Sequence, residues 1–178
     1  MNLRETNINN TATEERIWQI LQTVVDPEVP VLSVIDLGIV RSVTVESGST
    51  LENDAVEVTI TPTYSGCPAM DAITMDIRLK LLEHGYKNVS VKKTLSPAWT
   101  TDWMTQAGKE KLKAYGIAPP LDVPQICDSK LFVETGAIQC PLCGSYHTQL
   151  ISRFGSTACK ALYQCLECKE PFDYFKCH

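Results

Sequence analysis

The chain has 178 residues, of which 44% are hydrophobic and 21% are charged, and its formal net charge is −5. This composition is typical of a folded protein of one or two small domains and argues against general disorder. The acidic balance disfavours a nucleic-acid partner, and no apolar run approaches the roughly 20 residues of a membrane span. The polar N-terminus lacks the apolar stretch of a signal peptide. We therefore expect a cytoplasmic protein, in which eight cysteines indicate metal binding or reactive thiols rather than disulfides.

The first half of the chain predicts a small α+β domain over residues 13–116, preceded by a disordered lead-in at 1–12. Apolar residues at helical spacing predict a helix at about 13–24, which must end before the proline-containing loop that follows. Two strands are predicted next, at about 38–46 and 55–61, and the second alternates apolar and polar residues.

A second helix is predicted at about 68–83 because Pro68 suits the first helical position and apolar residues recur at helical spacing. A third strand at about 89–95 and a helix at about 100–115 complete the order α-β-β-α-β-α, with a three-stranded antiparallel or mixed sheet. A proline-containing linker is predicted at 117–136, and a four-cysteine zinc ribbon at 137–178.

Three acidic residues, Asp26, Glu28 and Asp36, lie on the loop before the first strand. Carboxylates at this place could orient a thiol or bind a hard metal ion. The alternative is turn chemistry, in which acidic side chains accept hydrogen bonds from backbone N–H groups. The residue types alone do not separate the two interpretations.

Cys67 precedes Pro68 and is predicted at the N-cap of the second helix. Backbone N–H groups and the positive end of the helix dipole stabilise a thiolate there, which favours a nucleophile or a metal ligand. Gly66 leaves the sulfur unshielded. The alternative is a small buried capping residue, because free cysteine is often buried.

Two Cys-x2-Cys pairs near the C-terminus, Cys140 with Cys143 and Cys165 with Cys168, carry the strongest metal signal. Each spacing places two thiolates on one tight turn, and two such turns complete a tetrahedral site. Zinc is favoured, although a mononuclear iron site uses the same ligands. A closed four-cysteine site predicts a structural role, and an electron-transfer role is the alternative.

The remaining cysteines and histidines have simpler interpretations. Cys127 is a lone linker thiol, and His84 is predicted to cap the end of the second helix. Three other residues are alternative ribbon ligands that the two pairs make unnecessary, and they are Cys159, Cys177 and His147. No Glu-x-x-His pair of the kind used in di-iron sites is present, which disfavours a catalytic role in oxygen chemistry.

Four motifs occur in a fixed order: Asp-Pro-Glu-Val-Pro at 26–30, Asp-Leu-Gly-Ile-Val at 36–40, Thr-Pro-Thr-Tyr-Ser-Gly-Cys-Pro at 61–68 and Pro-Ala-Trp-Thr at 97–100. This order resembles the small α+β domain of SufT-like proteins and of a eukaryotic factor of cytosolic iron–sulfur protein assembly. Together with the ribbon, which ends in an aromatic segment at 171–178, the chain resembles the PaaD family, encoded with the phenylacetyl-CoA epoxidase system.

The resemblance implies an accessory role in phenylacetate catabolism, in maturation of an iron–sulfur cluster or metal centre. It implies Cys67 as the reactive, cluster-binding position, with Asp26 and Glu28 near it. The implied partners are the catalytic di-iron subunit and the iron–sulfur reductase of the epoxidase. The implied cofactors are zinc in the ribbon and iron or a cluster held transiently.

Three hypotheses follow for the function. The first is a maturation factor, and it requires a homodimer that pairs two Cys67 or ligands shared with a client, because clusters usually take four cysteines. The second is a structural subunit of the oxygenase without metal-delivery chemistry. The third is an electron-transfer component with iron in the four-cysteine site.

Overall fold

The computed structural model describes residues 3–121 and 138–176. The chain divides into two compact units, Met1–Trp99 and Thr100–His178. Most of the predicted linker, together with Cys127 and Cys177, lies outside the described residues.

The first unit contains two long helices, a three-stranded sheet and a short 3-10 helix. In chain order these are α1 (Leu3–Leu21), β1 (Val40–Glu46), the 3-10 helix (Leu51–Asn53), β2 (Ala55–Ile60), α2 (Ala69–Glu83) and β3 (Asn88–Lys93). The described residues of the second unit form a 3-10 turn, one helix and three strands. These are the turn (Thr101–Trp103), α3 (Gln106–Ala114), β4 (Thr148–Ser152), β5 (Lys160–Cys165) and β6 (Pro171–Phe175). The predicted α+β class, with three helices and a three-stranded sheet before a cysteine cluster, is confirmed.

The sheet of the first unit is mixed, with strand order β1-β2-β3. Strands β1 and β2 are antiparallel, with Val43 opposite Val58, whereas β2 and β3 are parallel, with Val58 opposite Val91. Helix α2 connects the two parallel strands, because parallel neighbours need a long crossover. Alternate residues of β2 are buried, so one face of the sheet carries the core and the other is polar.

Helix α1 begins at Leu3 rather than at Thr13 and ends at Leu21 rather than near Val24. The sequence before Thr13 contains no proline or glycine, so nothing in it stops the helix from extending toward the N-terminus. At the other end, the Thr23 and Val24 N–H groups donate to carbonyls three residues back and tighten the last turn.

The third helix is shorter than predicted. The segment expected to start it forms a 3-10 turn, Met104 is extended with ψ of 138°, and Thr105 is the true N-cap. The Thr105 hydroxyl accepts a 2.9 Å hydrogen bond from the backbone N–H of Gly108. Gly116, with φ of 87°, ends the helix in the left-handed conformation that favours glycine.

The second unit is built around an antiparallel sheet with order β4-β5-β6. Its core is aromatic, and the Tyr163 and Phe172 rings stack with centroids 5.9 Å apart. Ala118, which was predicted to lie in the linker, forms a parallel bridge to Tyr174 and donates to the Asp173 carbonyl at 2.8 Å. This pairing ties the end of α3 to the ribbon, so the division of the chain falls after Trp99 rather than after residue 116.

Candidate functional site

The sulfur atoms of the two Cys-x2-Cys pairs converge in the second unit. All four Sγ atoms lie within 4.8 Å of one another. The Cys140 and Cys168 sulfurs are 3.8 Å apart, and the Cys143 and Cys165 sulfurs are 3.5 Å apart. With zinc–sulfur bonds of about 2.3 Å, a tetrahedral site requires sulfur separations of about 3.8 Å. The four cysteines therefore form a metal site.

Both cysteine turns share one backbone feature. The residue after the second cysteine of each pair has positive φ, 78° at Gly144 and 66° at Lys169. In the first turn this conformation lets the Gly144 N–H donate to the Cys140 carbonyl at 2.9 Å. The left-handed residue turns the chain sharply enough for both sulfurs of a pair to face one point.

One thiol of the cluster is acidic before a metal ion binds. The backbone N–H of Cys168, and to a smaller extent that of Glu167, donates to the Cys165 sulfur and lowers the pKa of that thiol to about 6. In the metal-free cluster the pKa of the Cys143 thiol is raised, and that of the Cys168 thiol is raised to about 12. Metal ions bind the thiolate rather than the thiol. Because four sulfurs fill a tetrahedron, no coordination position is left open for a substrate, which is the arrangement of structural sites.

The alternative ribbon ligands that can be described lie outside the cluster. The Nδ1 atom of His147 lies 2.8 Å from a carboxylate oxygen of Glu167, so this exposed ring links the two cysteine turns, and it is not one of the four residues of the cluster. The Cys159 sulfur is buried, 3.0 Å from the Thr157 hydroxyl. In the first unit, His84 Nδ1 contacts the Lys80 carbonyl at 2.8 Å, in keeping with its predicted capping role.

Cys67 lies at the start of α2 in the first unit. The helix begins at Ala69, one residue later than predicted, and Pro68 stands at the N-cap with helical dihedrals. The Cys67 N–H donates to the Tyr64 carbonyl at 3.2 Å, and its own carbonyl accepts from Met70 at 3.4 Å. These bonds fix the turn that presents the half-buried thiol beside the first turn of α2.

Burial raises the pKa of the Cys67 thiol above its ordinary value of 9.0. The backbone N–H of Ala69 donates to the sulfur and lowers the pKa, as expected at a helix start, but it does not offset the lost solvation. The negative charges of Glu28 and Asp26 raise the pKa further. In the metal-free protein, the stabilisation of a thiolate by the start of the helix is therefore outweighed.

The acidic loop has two separate roles. The Asp26 carboxylate accepts backbone hydrogen bonds from Glu28 at 2.7 Å and Val29 at 2.8 Å, so it orders the loop. The Asp36 carboxylate accepts from the backbone N–H of Ser33 at 3.0 Å and from its hydroxyl at 2.9 Å. Turn chemistry thus accounts for both aspartates, while Asp26 and Glu28 also act electrostatically on Cys67.

Tyr64 is a site residue that the sequence analysis missed. Its side chain hydrogen-bonds the Cys67 sulfur and lowers the pKa of the thiol. The signal was available, because Tyr64 lies three residues before Cys67 in the rigid 61–68 motif, at the spacing of a tight turn. Cys67, Tyr64, Asp26 and Glu28 therefore make one candidate site, called here the Cys67 site.

Comparison with known proteins decides the family. A family model described as an iron-sulfur cluster assembly protein matches residues 14–92, and one described as the PaaD zinc beta ribbon domain matches residues 126–176. The chain is 50% identical over 161 residues to an Escherichia coli K12 protein named as a putative 1,2-phenylacetyl-CoA epoxidase subunit, and the match covers 90% of this chain and 91% of that protein. The chain belongs to the PaaD family.

Within the architecture of the PaaD family, the two candidate sites fall in different matched regions. The Cys67 site lies in the assembly-protein match and the four ribbon cysteines lie in the ribbon match. A second relative, named "Fe-S protein maturation auxiliary factor" from Porphyromonas gingivalis W83, is 41% identical over 95 residues, which are 53% of this chain and 85% of that protein.

A solved structure supports the fold of the first part of the chain. The crystal structure of a domain of unknown function, DUF59, from Bacillus anthracis matches with a TM-score of 0.54 and 27% identity. The match covers 60% of this chain and 96% of that one. Among the described residues of this PaaD family member, no helix is long and apolar enough to cross a membrane.

Proposed function

We propose that this protein is an accessory subunit of the phenylacetyl-CoA 1,2-epoxidase system that helps to mature an iron–sulfur cluster or metal centre of the oxygenase. The family supports the epoxidase system as its setting, and the assembly-protein match supports maturation. The observation that carries the proposal is the Cys67 site, in which a soft sulfur ligand interacts electrostatically with two hard carboxylates, Glu28 and Asp26.

The electrostatics of the Cys67 site suit a cation as cargo. Without metal, burial and then the negative charges of Glu28 and Asp26 raise the pKa of the thiol, so it stays protonated at neutral pH. A bound iron ion reverses this effect, because its positive charge is attracted by both carboxylates and by the thiolate. The site therefore exchanges a proton for a metal ion, which fits a carrier that must also release its cargo.

A single cysteine does not complete a cluster site. Iron–sulfur clusters are usually held by four cysteines, and within the described residues the other clustered cysteines belong to the ribbon site. The cargo held at Cys67 thus takes further ligands from a second copy of this chain or from the client. The clients are the catalytic di-iron subunit and the iron–sulfur reductase of the epoxidase.

The ribbon site has a separate role in this proposal. Its four sulfurs hold zinc, because zinc needs only the closed tetrahedral thiolate cage. A small sheet built on this metal positions the unit for docking on a client rather than for chemistry. The zinc stays with the protein while the iron or cluster is passed on.

Co-expression of the oxygenase with variants of this protein tests the proposal. Cys67→Ser is expected to leave the oxygenase poor in iron and inactive with phenylacetyl-CoA. Cys159→Ser is the matched control, because this buried cysteine lies outside both sites, and it is expected to support full activity. Full activation of the oxygenase by Cys67→Ser would contradict the proposal.

The raised pKa of the thiol favours a second candidate, a structural subunit of the oxygenase without metal-delivery chemistry. A purely structural role, packing of the turn at the helix start, is enough to explain a protonated, half-buried cysteine there. This candidate predicts that Cys67→Ser activates the oxygenase normally and remains in a stoichiometric complex with it. The same co-expression experiment, followed by co-purification, separates the two candidates.

A further inference from the structure

Helix α2 carries two apolar stripes on opposite sides. One stripe, which includes Ile73 and Ile77, is buried in the core of the first unit. The other faces solvent, and its large side chains Met75, Leu79 and Leu82 are 54%, 47% and 53% exposed. A contiguous exposed apolar stripe opposite a complete core face indicates a surface that binds another protein.

The spacing of the exposed stripe favours a second copy of this chain as its partner. Ala72, Met75, Leu79 and Leu82 follow the three-four-three spacing of coiled-coil positions a and d. Side chains at this spacing interlock with an identical helix, knob into hole, so the stripe is complementary to itself. We propose that these four residues, called here the α2 seam, join two copies of this chain with their α2 helices parallel.

Charges beside the α2 seam favour the parallel orientation. In a parallel pair, Arg78 faces Glu83 of the second copy, the attractive pairing typical of parallel coiled coils. Asp71 then faces Asp76 of the second copy, but Lys93 of the same chain already pairs with Asp71, at 2.5 Å, and lowers the pKa of its carboxyl. In an antiparallel pair, Asp76 would face Glu83 of the second copy and repel it. Asp71 would face Arg78 of the second copy, but its ion pair with Lys93 weakens that attraction.

The parallel arrangement explains how the Cys67 site is completed, and this step rests on the proposed function. Cys67 lies two residues before the first residue of α2, so parallel helices bring both copies of Cys67 to the same end of the pair. Antiparallel helices of 15 residues would separate the two ends by roughly 22 Å. Two thiolates at one end of the dimer supply half of the four ligands that a cluster usually takes.

The dimer is expected to be weak when it carries no cargo. One helix face is much smaller than the roughly 800 Å² per partner of a stable interface. Association should therefore depend on protein concentration, and it should tighten when both copies of Cys67 bind the same cargo. Reversible pairing of this kind matches a carrier that delivers its cargo to a client.

Sedimentation of the full zinc-loaded chain tests the α2 seam. Leu79→Lys is expected to weaken self-association about tenfold or more, because a buried lysine at the centre of an apolar contact is costly. Leu95→Lys is the matched control, since Leu95 is 61% exposed and lies outside α2, and it should leave self-association unchanged. Equal urea midpoints for both variants establish that each is folded.

Two sedimentation results would overturn the proposal. One is unchanged self-association of Leu79→Lys. The other is a wild-type chain that stays monomeric at high concentration. That result would indicate that the stripe binds an apolar helix of another protein.

A disulfide cross-link tests the orientation. In the Cys67→Ser background, Met75→Cys is expected to cross-link to itself on mild oxidation, because identical d positions face each other in a parallel pair. Cross-linking only between Met75→Cys and Leu79→Cys chains would show an antiparallel pair and overturn the parallel arrangement. Neither measurement depends on iron, so failure of the α2 seam and failure of the proposed function are distinguishable.

Discussion

The indole Nε1 of Trp99 donates a hydrogen bond of 2.9 Å to the backbone carbonyl of Leu37, 62 residues earlier in the chain. Both residues are buried. The bond joins the Pro-Ala-Trp-Thr motif to the Asp-Leu-Gly-Ile-Val motif, so two of the four family motifs meet in one tertiary contact. It closes the first unit, whose last residue is Trp99.

Trp99→Phe is expected to lower the free energy of unfolding of the first unit by about 1–3 kcal/mol, because it leaves the Leu37 carbonyl buried without its donor. Urea unfolding followed by circular dichroism measures the change. Tyr115→Phe is the control, since it removes a polar atom from a ring that is 57% exposed, and it should change stability by less than about 0.5 kcal/mol. Equal destabilisation by both variants would contradict the role of this bond.

Removal of the ribbon metal is expected to unfold β4–β6 and to leave the sheet of the first unit folded. Structural zinc supplies on the order of 10–16 kcal/mol of binding energy to small domains, and the small aromatic core of this three-stranded ribbon does not offset its loss. Chelation followed by amide hydrogen exchange measures the loss for each strand. Cys140→Ser should reproduce it, whereas Cys159→Ser should retain one metal ion per chain. Protected ribbon amides after complete metal removal would contradict this account.

Alkylation of Cys67 is expected to be slow at neutral pH and to rise through and above pH 9, because burial raises the pKa of the thiol above 9.0. Glu28→Gln should lower the pKa and speed alkylation, and Tyr64→Phe should raise the pKa and slow it. Glu46→Gln, an exposed residue at the end of β1, is the control and should have no effect. Mass spectrometry of the Cys67 peptide follows the reaction.

The raised pKa of the Cys67 thiol also makes the stability of the folded protein depend on pH. The folded protein holds the Cys67 proton more tightly than the unfolded chain does, so the contribution of the neutral thiol is fully present below about pH 8.5. That contribution is lost as the pH rises through the raised pKa of the folded protein. Cys67→Ser should therefore flatten the fall in stability above pH 9, and an unchanged fall would contradict the assignment.

Asp26→Ala is expected to destabilise the first unit by about 1–2 kcal/mol, because the backbone N–H groups of Glu28 and Val29 lose their shared acceptor. Asp26→Asn keeps an oxygen at that place and should cost much less, while still lowering the pKa of Cys67 by removing a charge. Urea unfolding and the alkylation profile measure the two effects separately. Equal stability of the two variants would show that the turn does not depend on this acceptor.

Most of the fold can be predicted from signals between residues that are close in the sequence. Alternation in β2, the proline before α2 and the Cys-x2-Cys spacing each depend on neighbouring residues, and the structure confirms the strand, the helix and the four-cysteine cluster. The parallel pairing of β2 with β3 was left open, because strand direction depends on where the crossover helix packs.

Two features of the structure differ from the predictions or go beyond them. Helix α3 has its N-cap at Thr105 rather than near residue 100, because Thr100 and Thr101 are capping residues of the same type and the local sequence does not single out one of the three. The helix N-terminus that favours a thiolate at Cys67 is visible in the sequence, whereas burial and the charges of the acidic loop, which raise the pKa of the thiol, are properties of the folded unit.

Metal and acid-labile sulfide analysis of anaerobically purified protein decides whether Cys67 carries iron. One zinc per chain is expected in wild type, Cys67→Ser and Cys159→Ser. Iron, with or without sulfide, is expected in wild type and Cys159→Ser and is expected to be absent from Cys67→Ser. One zinc per chain and no iron in all three proteins would contradict the carrier role of Cys67.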